Sequence, residues 1–399
     1  MQINGYVIVL FFTYIVIASC SNGIIWPRHH FNTFLKEVKS LSDILIVGGG
    51  IIGMLTAREL SLAGMKVTIV EQGKTGRESS WAGGGIISPL YPWRYSAAVN
   101  ALAQWSQANY PDLIEEINSE TGLDAELIQN GLLLLDDETE PASVWAEKWD
   151  SNLHLIDSKE VSELEPELSS SLITDTKAIW MPDVRQVRNP RLVKVLKKYL
   201  LKQGVKFVEQ TQVTGFIENA NKVGGVTTSD GDILAGKVLL AGGAWSSNLL
   251  KNKGIAVEPV KGQMILFKTA PNTIKRITLS KDRYVIPRRD GRVLLGSTLE
   301  HTGFDKSITK EAKEELKKEA IRIIPFLENA EIEHHWAGLR PGSTNGIPYI
   351  SPVPNMDGLY LSAGHYRNGV VLGPASARLA ADIILKRQPI LDVSPYQLD

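Results

Sequence analysis

The stretch Ile44-Leu45-Ile46-Val47-Gly48-Gly49-Gly50-Ile51-Ile52-Gly53, with a second apolar run Lys66-Val67-Thr68-Ile69-Val70 that ends in Glu71, constrains the fold of this chain more than any other. It reads as a buried strand, a Gly-x-Gly-x-x-Gly turn, a helix, and a second strand closed by an acid. That is the βαβ unit that holds an adenine dinucleotide. Gly48 permits the tight turn, Gly50 lets the backbone approach a pyrophosphate, and Gly53 lets the helix lie close on the strand. The free N–H groups of the helix N-terminus then face the phosphates. Glu71 stands where a carboxylate accepts hydrogen bonds from a ribose 2′-hydroxyl. An ordinary α/β turn would account for the glycines alone, but not for glycines, helix and distal acid together. The expectation is a chain that binds NAD or FAD.

Organisation further along separates the two. A glycine-rich loop, Glu78-Ser79-Ser80-Trp81-Ala82-Gly83-Gly84-Gly85, follows the first unit. Three adjacent glycines cost backbone entropy, which suggests close approach to something flat or phosphorylated, with a flexible surface loop as the alternative. Helices are expected over residues 96–110, from Asp157 to near Pro166, and from Asn189-Pro190 to Gln203-Gly204. Strands are expected at 205–208, 223–228 and 233–234, and a buried one runs from Lys237 into the small residues Ala241-Gly242-Gly243-Ala244. Several strands between 257 and 300, a helix over 307–324, a strand at 358–365 and a helix ending near Ile384 complete the reading. The nucleotide fold is thus assembled from separated segments with antiparallel material between them. Such interleaving disfavours a simple NAD dehydrogenase and favours FAD, whose long molecule lies across two domains.

The expected fold class is accordingly α/β, more fully an α+β two-domain flavoprotein. A Rossmann-like FAD-binding domain would take residues 41–90, 190–250 and 336–395. A substrate domain with a mainly antiparallel sheet would take 91–189 and 251–335. With 399 residues, 43% hydrophobic and 22% charged, the chain can bury a sizeable core. A net charge of −1 without a basic block argues against nucleic acid as a partner. Cys20 is the only cysteine, which excludes an internal disulfide, an iron–sulfur cluster and a cysteinyl flavin link in the core. His334-His335 are adjacent and lack a third ligand, so no metal is expected.

Residues 1–40 form an apolar N-terminal extension. Its run at 6–18 suits a signal-peptide core better than a span, which needs about 20 apolar residues. The expectation is a dispensable extension and a cytoplasmic protein, because no Lys or Arg precedes the run. The alternative is a membrane anchor through residues 1–20.

Five motifs, Gly48 to Gly53, Glu78 to Pro92, Tyr284 to Gly291 (YVIPRRDG), Trp336 to Gly342 (WAGLRPG) and Gly364 to Gly369 (GHYRNG), resemble those of the FAD-dependent D-amino-acid and amine oxidase family. Within that family they look most like the glycine oxidases that serve thiamine thiazole synthesis. The likeness runs from about Asp43 to Lys386. It implies that Ile51, Ile52, Glu71 and Gln72 bind the adenosine half of non-covalent FAD. It implies also that Glu78, Ser79, Gly83, Gly84 and Gly85 line the pyrophosphate and flavin, and that Val213 meets the adenine end. His365, Tyr366, Arg367, Asn368, Gly369, Val370 and Val371 would run beside the isoalloxazine. Glu78 departs from the hydroxyl residue expected at its position.

Oxidising an amino acid requires a grip on its carboxylate. The planar fork of arginine matches two oxygens, and Arg340 is the residue chosen, with Pro341-Gly342 expected to fix a rigid turn. A domain-interface ion pair is its alternative. Tyr284 read alone is a half-buried strand tyrosine; the resemblance instead gives its hydroxyl to the same carboxylate. The resemblance also places Arg367 at the substrate, and the helix that follows would point its N-terminus at the flavin. His365 is expected to be structural rather than a base. The implied partners are glycine or another small amine-bearing acid and molecular oxygen, in a homo-oligomer. Sarcosine or broad D-amino-acid oxidation and a quinone-reducing dehydrogenase are the alternatives. A non-catalytic FAD-binding module is disfavoured by the presence of both Arg340 and Tyr284.

Overall fold

The computed structural model describes residues 42–173, 177–250 and 255–398, together with the backbone of three short strands before residue 20. Contacts divide the chain into two compact units, Met1–Leu41 and Ser42–Asp399. In the first, strands Gln2–Ile3, Tyr6–Phe11 and Tyr14–Ser19 pair antiparallel, so the apolar run is a hairpin with Phe11 opposite Tyr14. The remainder of the extension, Cys20 included, lies outside the described residues. Among the described residues no helix is long and apolar enough to cross a membrane.

The second unit holds two large sheets. One has six strands in the order Lys206–Val208, Val67–Val70, Ile44–Val47, Val238–Leu240, Leu359–Ala363 and Tyr349–Pro352. Every neighbouring pair is parallel except the last. A parallel sheet must be covered on both faces, and the central strand reads accordingly as an unbroken apolar run, all four residues buried. Its side chains alternate. Ile44 and Ile46 join a core with residues of the helices Ile51–Leu62, Ala97–Thr121, Asn189–Lys202 and Gly369–Leu385. Leu45 and Val47 face the other way, toward Val213 and Val226 of a three-stranded sheet spanning 213–234.

The other large sheet has eight strands, in the order Glu331–Ser343, Val257–Lys268, Arg292–Gly296, Arg283–Pro287, Ile277–Ser280, Leu132–Leu134, Ala178–Met181 and His154–Ile156. It is antiparallel apart from the parallel pair Ile277–Ser280 with Leu132–Leu134. The helix Lys310–Ile323 covers one face with Leu316, Ala320 and Ile323 packed on Ile265 and Leu295.

Three expectations need correction. The helix expected over 96–110 continues through Pro111 to Thr121. The missing proline N–H is outweighed by one continuous buried face, Val99, Leu102, Tyr110, Leu113, Ile114 and Ile117. That same face packs on the nucleotide-side core, so residues 91–189 do not all lie with the antiparallel sheet. The boundary drawn at 336 falls inside the Glu331–Ser343 strand, which stays paired with Val257–Lys268 to its end.

Candidate active site

The carboxyl ends of the parallel strands and one end of the antiparallel sheet meet at a cavity of about 430 Å3. Its wall includes Gly48, Gly50, Ile51, Ile52, Glu71, Gln72, Glu78, Ser79, Gly83, Gly84, Gly85 and Val213. It also includes Tyr284, Arg340, His365, Tyr366, Arg367, Asn368, Gly369 and Val370. Two of the residues expected there stand outside it. Val371 turns into the helix-side core, one residue further round the helix from Val370. Gly53 works behind the wall: a Cβ on it would lie 2.1 Å from the Gly48 carbonyl oxygen, so glycine is what lets the helix approach the turn.

At the nucleotide end, Glu71 accepts N–H bonds from Gly49 (2.8 Å) and Gly73 (2.9 Å), which fixes its carboxylate at the mouth of the turn. Ser80, which sequence reading passed over, accepts the Ile51 N–H at 2.8 Å and so supplies the hydroxyl at the helix N-terminus. Glu78 does not do this. Its carboxylate pairs with Lys306 at 2.8 Å. Gly85 has φ of +80°, and a Cβ there would sit 2.1 Å from the Val187 carbonyl oxygen. The glycine loop is thus held flush against residues 185–187 and presents bare backbone to the cavity.

At the other end stands Arg340. It lies within a strand and not on a turn: Arg340, Pro341 and Gly342 pair with Val260, Pro259 and Glu258. Strand register, rather than a Pro-Gly corner, sets its position. The guanidinium donates to the Lys261 carbonyl (3.2 Å), the Thr298 carbonyl (3.2 Å) and the Ser297 hydroxyl, with no carboxylate among its partners in the described residues. Burial pushes it below its ordinary pKa, and Arg367 adds to that while Tyr284 opposes it. A desolvated cation held only by neutral acceptors is a site prepared for an anion. Lys261, 1% exposed, braces this frame through Glu300 at 3.0 Å, and Gln263 donates to the same carboxylate at 2.9 Å. Neither was foreseen, because only the pairing of distant strands brings them to Arg340. Gly262, Met264 and Ser297 in the cavity wall were missed for the same reason. Thr211, Gln212, Gly242, Gly243 and Ser362 were also missed, although they adjoin strand ends visible in the sequence.

His365 is buried, and burial pushes its imidazole down to about 3, so it is neutral and a poor proton acceptor at physiological pH. Its Nε2 and the hydroxyl of Ser362, both in the wall, have no partner among the described residues. Orphaned polar atoms beside a glycine cradle fit a bound group that carries its own donors and acceptors, as FAD does.

The arrangement makes Gly262 a sensitive position. A Cβ there would lie 2.1 Å from Arg340 Nη2 and 2.4 Å from its Cζ. In Gly262→Ala the long side chain yields rather than the strand, so the fold survives and the guanidinium moves. Overpacking of about 1–3 kcal/mol corresponds to a KM for the carboxylate substrate raised roughly ten- to hundredfold, with bound flavin unchanged. Steady-state kinetics with an absorption spectrum checks this.

A family model for FAD dependent oxidoreductases matches residues 43–383. The chain is 53% identical to a glycine oxidase of Pseudomonas aeruginosa over 358 residues, 88% of this chain and 97% of that one. It is 30% identical to the bifunctional protein ThiO/ThiG of Trichormus variabilis over 89% of this chain and 54% of the longer protein. Its fold is similar to the crystal structure of glycine oxidase from Geobacillus kaustophilus, with a TM-score of 0.84 and 29% identity over 90% of this chain and 98% of that one.

Proposed function

The chain belongs to the FAD-dependent oxidoreductase family, and from that premise we propose that it oxidises glycine, with molecular oxygen as oxidant, to the imino acid and hydrogen peroxide. The imino acid then hydrolyses to glyoxylate and ammonia or passes to thiamine thiazole synthesis. The reading is supported by similarity to glycine oxidases along nearly their whole length. The observation that carries it is Arg340, a desolvated cation without a carboxylate partner at the end of a dinucleotide cradle.

In this proposal Gly48, Gly50, Ile51 and Ile52 hold the pyrophosphate, Glu71 the ribose, and Val213 the adenine end. Residues 365–370 run beside the flavin. Bound FAD would supply the hydride acceptor and the route by which the electrons reach oxygen. Arg340 takes both carboxylate oxygens of glycine, Tyr284 donates its hydroxyl to one of them, and Arg367 adds positive charge. Fixing the carboxylate in this way leaves Cα–H directed away from it, into the cavity. No side chain needs to remove the Cα proton, since it leaves with its electron pair, and a neutral His365 is consistent with that.

Peroxide release by purified protein given glycine, sarcosine or D-alanine tests the reading. Glycine is expected to give the highest kcat/KM, and no peroxide with any amine would overturn it. FAD is expected to be non-covalent: acid precipitation should leave the yellow colour in the supernatant, and colour in the washed pellet would contradict this. The cytoplasmic placement and the homo-oligomer belong to the same proposal, and fractionation and light scattering check them.

A further inference from the structure

Arg288 directly follows the strand Arg283–Pro287 that carries Tyr284. Tyr284 and Ile286 lie against Gly84: a Cβ on that glycine would be 2.8 Å from Ile286 Cδ1 and 3.3 Å from the Tyr284 ring. Past Pro287 the chain places Arg288 behind the glycine loop, only 6% exposed. Its Nη2 donates to the Gly84 carbonyl at 2.7 Å, and its Nη1 donates to the Val187 carbonyl at 3.1 Å and to Gln186 Oε1. Among the described residues no carboxylate touches it. The acids nearest in effect, Glu126 and Asp290, are engaged by Arg188, Arg191 and Arg292. Burial and Arg188 push the guanidinium down only to about 10, so it stays charged at neutral pH.

Burying a cation among neutral acceptors is a poor way to stabilise a fold. Its geometry has a use at the cavity. The Gly84–Gly85 peptide is trans, so its C=O and N–H point in opposite directions. With the carbonyl drawn back to Arg288, the Gly85 N–H is turned away from Arg288, and it has no partner among the described residues. Gly84 borders the Tyr284 and Arg340 end of the cavity. A ring that takes hydride from a substrate held by Arg340 must lie at that end.

We propose that Arg288 is a positioning residue for the flavin: it fixes the Gly84–Gly85 peptide with its N–H toward the isoalloxazine, and it supplies a buried positive charge that favours negative charge on that ring. This rests on the FAD oxidase reading and adds a residue that touches neither substrate nor cavity. The charge stands one peptide behind the wall, where a low-dielectric surrounding transmits it.

Sulfite tests this independently of turnover. It adds to oxidised flavin through its sulfur lone pair, leaves the ring negatively charged, and bleaches the visible band. Arg288→Gln keeps a neutral donor for the Gly84 carbonyl and removes the charge. The sulfite Kd of its holoenzyme is expected to rise about tenfold or more. Arg288→Lys keeps the charge and is expected to stay within roughly threefold of the parent. Asp290→Asn removes a countercharge and is expected to tighten sulfite binding, a change opposite in sign to that in Arg288→Gln. A sulfite Kd in Arg288→Gln equal to the parent's overturns the proposal. If Arg288→Gln fails to fold, an unchanged or weakened Kd in Asp290→Asn overturns it, as does a parent holoenzyme that binds no sulfite. Parent enzyme that binds sulfite but oxidises no glycine refutes the oxidase reading alone.

Discussion

Replacing Arg340 with alanine is expected to lower kcat/KM for glycine by a hundredfold or more while the flavin spectrum stays normal. The substitution removes a charge-assisted pair and leaves a substrate carboxylate desolvated and unmatched, a loss of about 3–5 kcal/mol. Much of it should appear in KM, because the interaction forms before hydride transfer. Some should appear in kcat, because a carboxylate that is no longer pinned lets Cα drift. Arg340→Lys should recover only part, since an ammonium is a point charge without the fork. Carboxylate inhibitors that lack an amine should weaken in parallel with glycine. FAD should remain, because the partners of Arg340 are Lys261 on the antiparallel sheet and Ser297 and Thr298 just past its Arg292–Gly296 strand, with none in the nucleotide turn. Loss of FAD with a normal KM in the remaining enzyme would make Arg340 structural.

Gly48→Ala is expected to give colourless, poorly folded protein that added FAD does not rescue. Gly48 has φ of +112°, and its Cβ would stand 2.3 Å from the Ala241 carbonyl oxygen, which the strand Val238–Leu240 holds in place. Neither the backbone angle nor the neighbour can yield cheaply, and the two costs together reach several kcal/mol. Gly50→Ala is the informative contrast. There the nearest atom is Ser80 Oγ at 3.2 Å, so the fold should persist and the added methyl group should press on the bound pyrophosphate. Thermal denaturation without cofactor should separate the pair: Gly48→Ala lowers Tm, whereas Gly50→Ala keeps it and weakens only the binding of FAD. Equal Tm losses in both would show that these glycines serve the turn and not the phosphates.

Much of the nucleotide half was legible because its signals are local. Gly48 to Gly53, Glu71 and the loop from Gly83 to Gly85 announce themselves within short local stretches, and all but Gly49 and Gly53 stand in the cavity wall. The substrate end was legible only in part. Arg340 could be named from its motif, but its surroundings could not, since Lys261 and Ser297 lie 79 and 43 residues from it in sequence and, with Gly262, reach it only through strand pairing. Pro341-Gly342 suggested a corner because those residues usually make one. Here Pro341 sits in an edge strand, where a missing N–H costs little. Val371 was placed at the cavity by continuing a motif one residue too far, past the point where the helix turns its side chain inward.

The order of the parallel sheet has a consequence for how the protein comes into being. Ile44–Val47 is the first of its strands to be made, yet it pairs with Val238–Leu240, which in turn pairs with Leu359–Ala363. A nascent chain carries the dinucleotide fingerprint long before the opposite wall, residues 362–370, has left the ribosome. Pairing segments so far apart is slow, and apolar strand and helix faces stay uncovered while it waits. Cofactor capture is therefore a late event in biogenesis, and a ligand that binds only the finished sheet draws the chain toward it by mass action. Flavin supply during synthesis should thus govern how much of the polypeptide escapes aggregation, as well as how much of it is active.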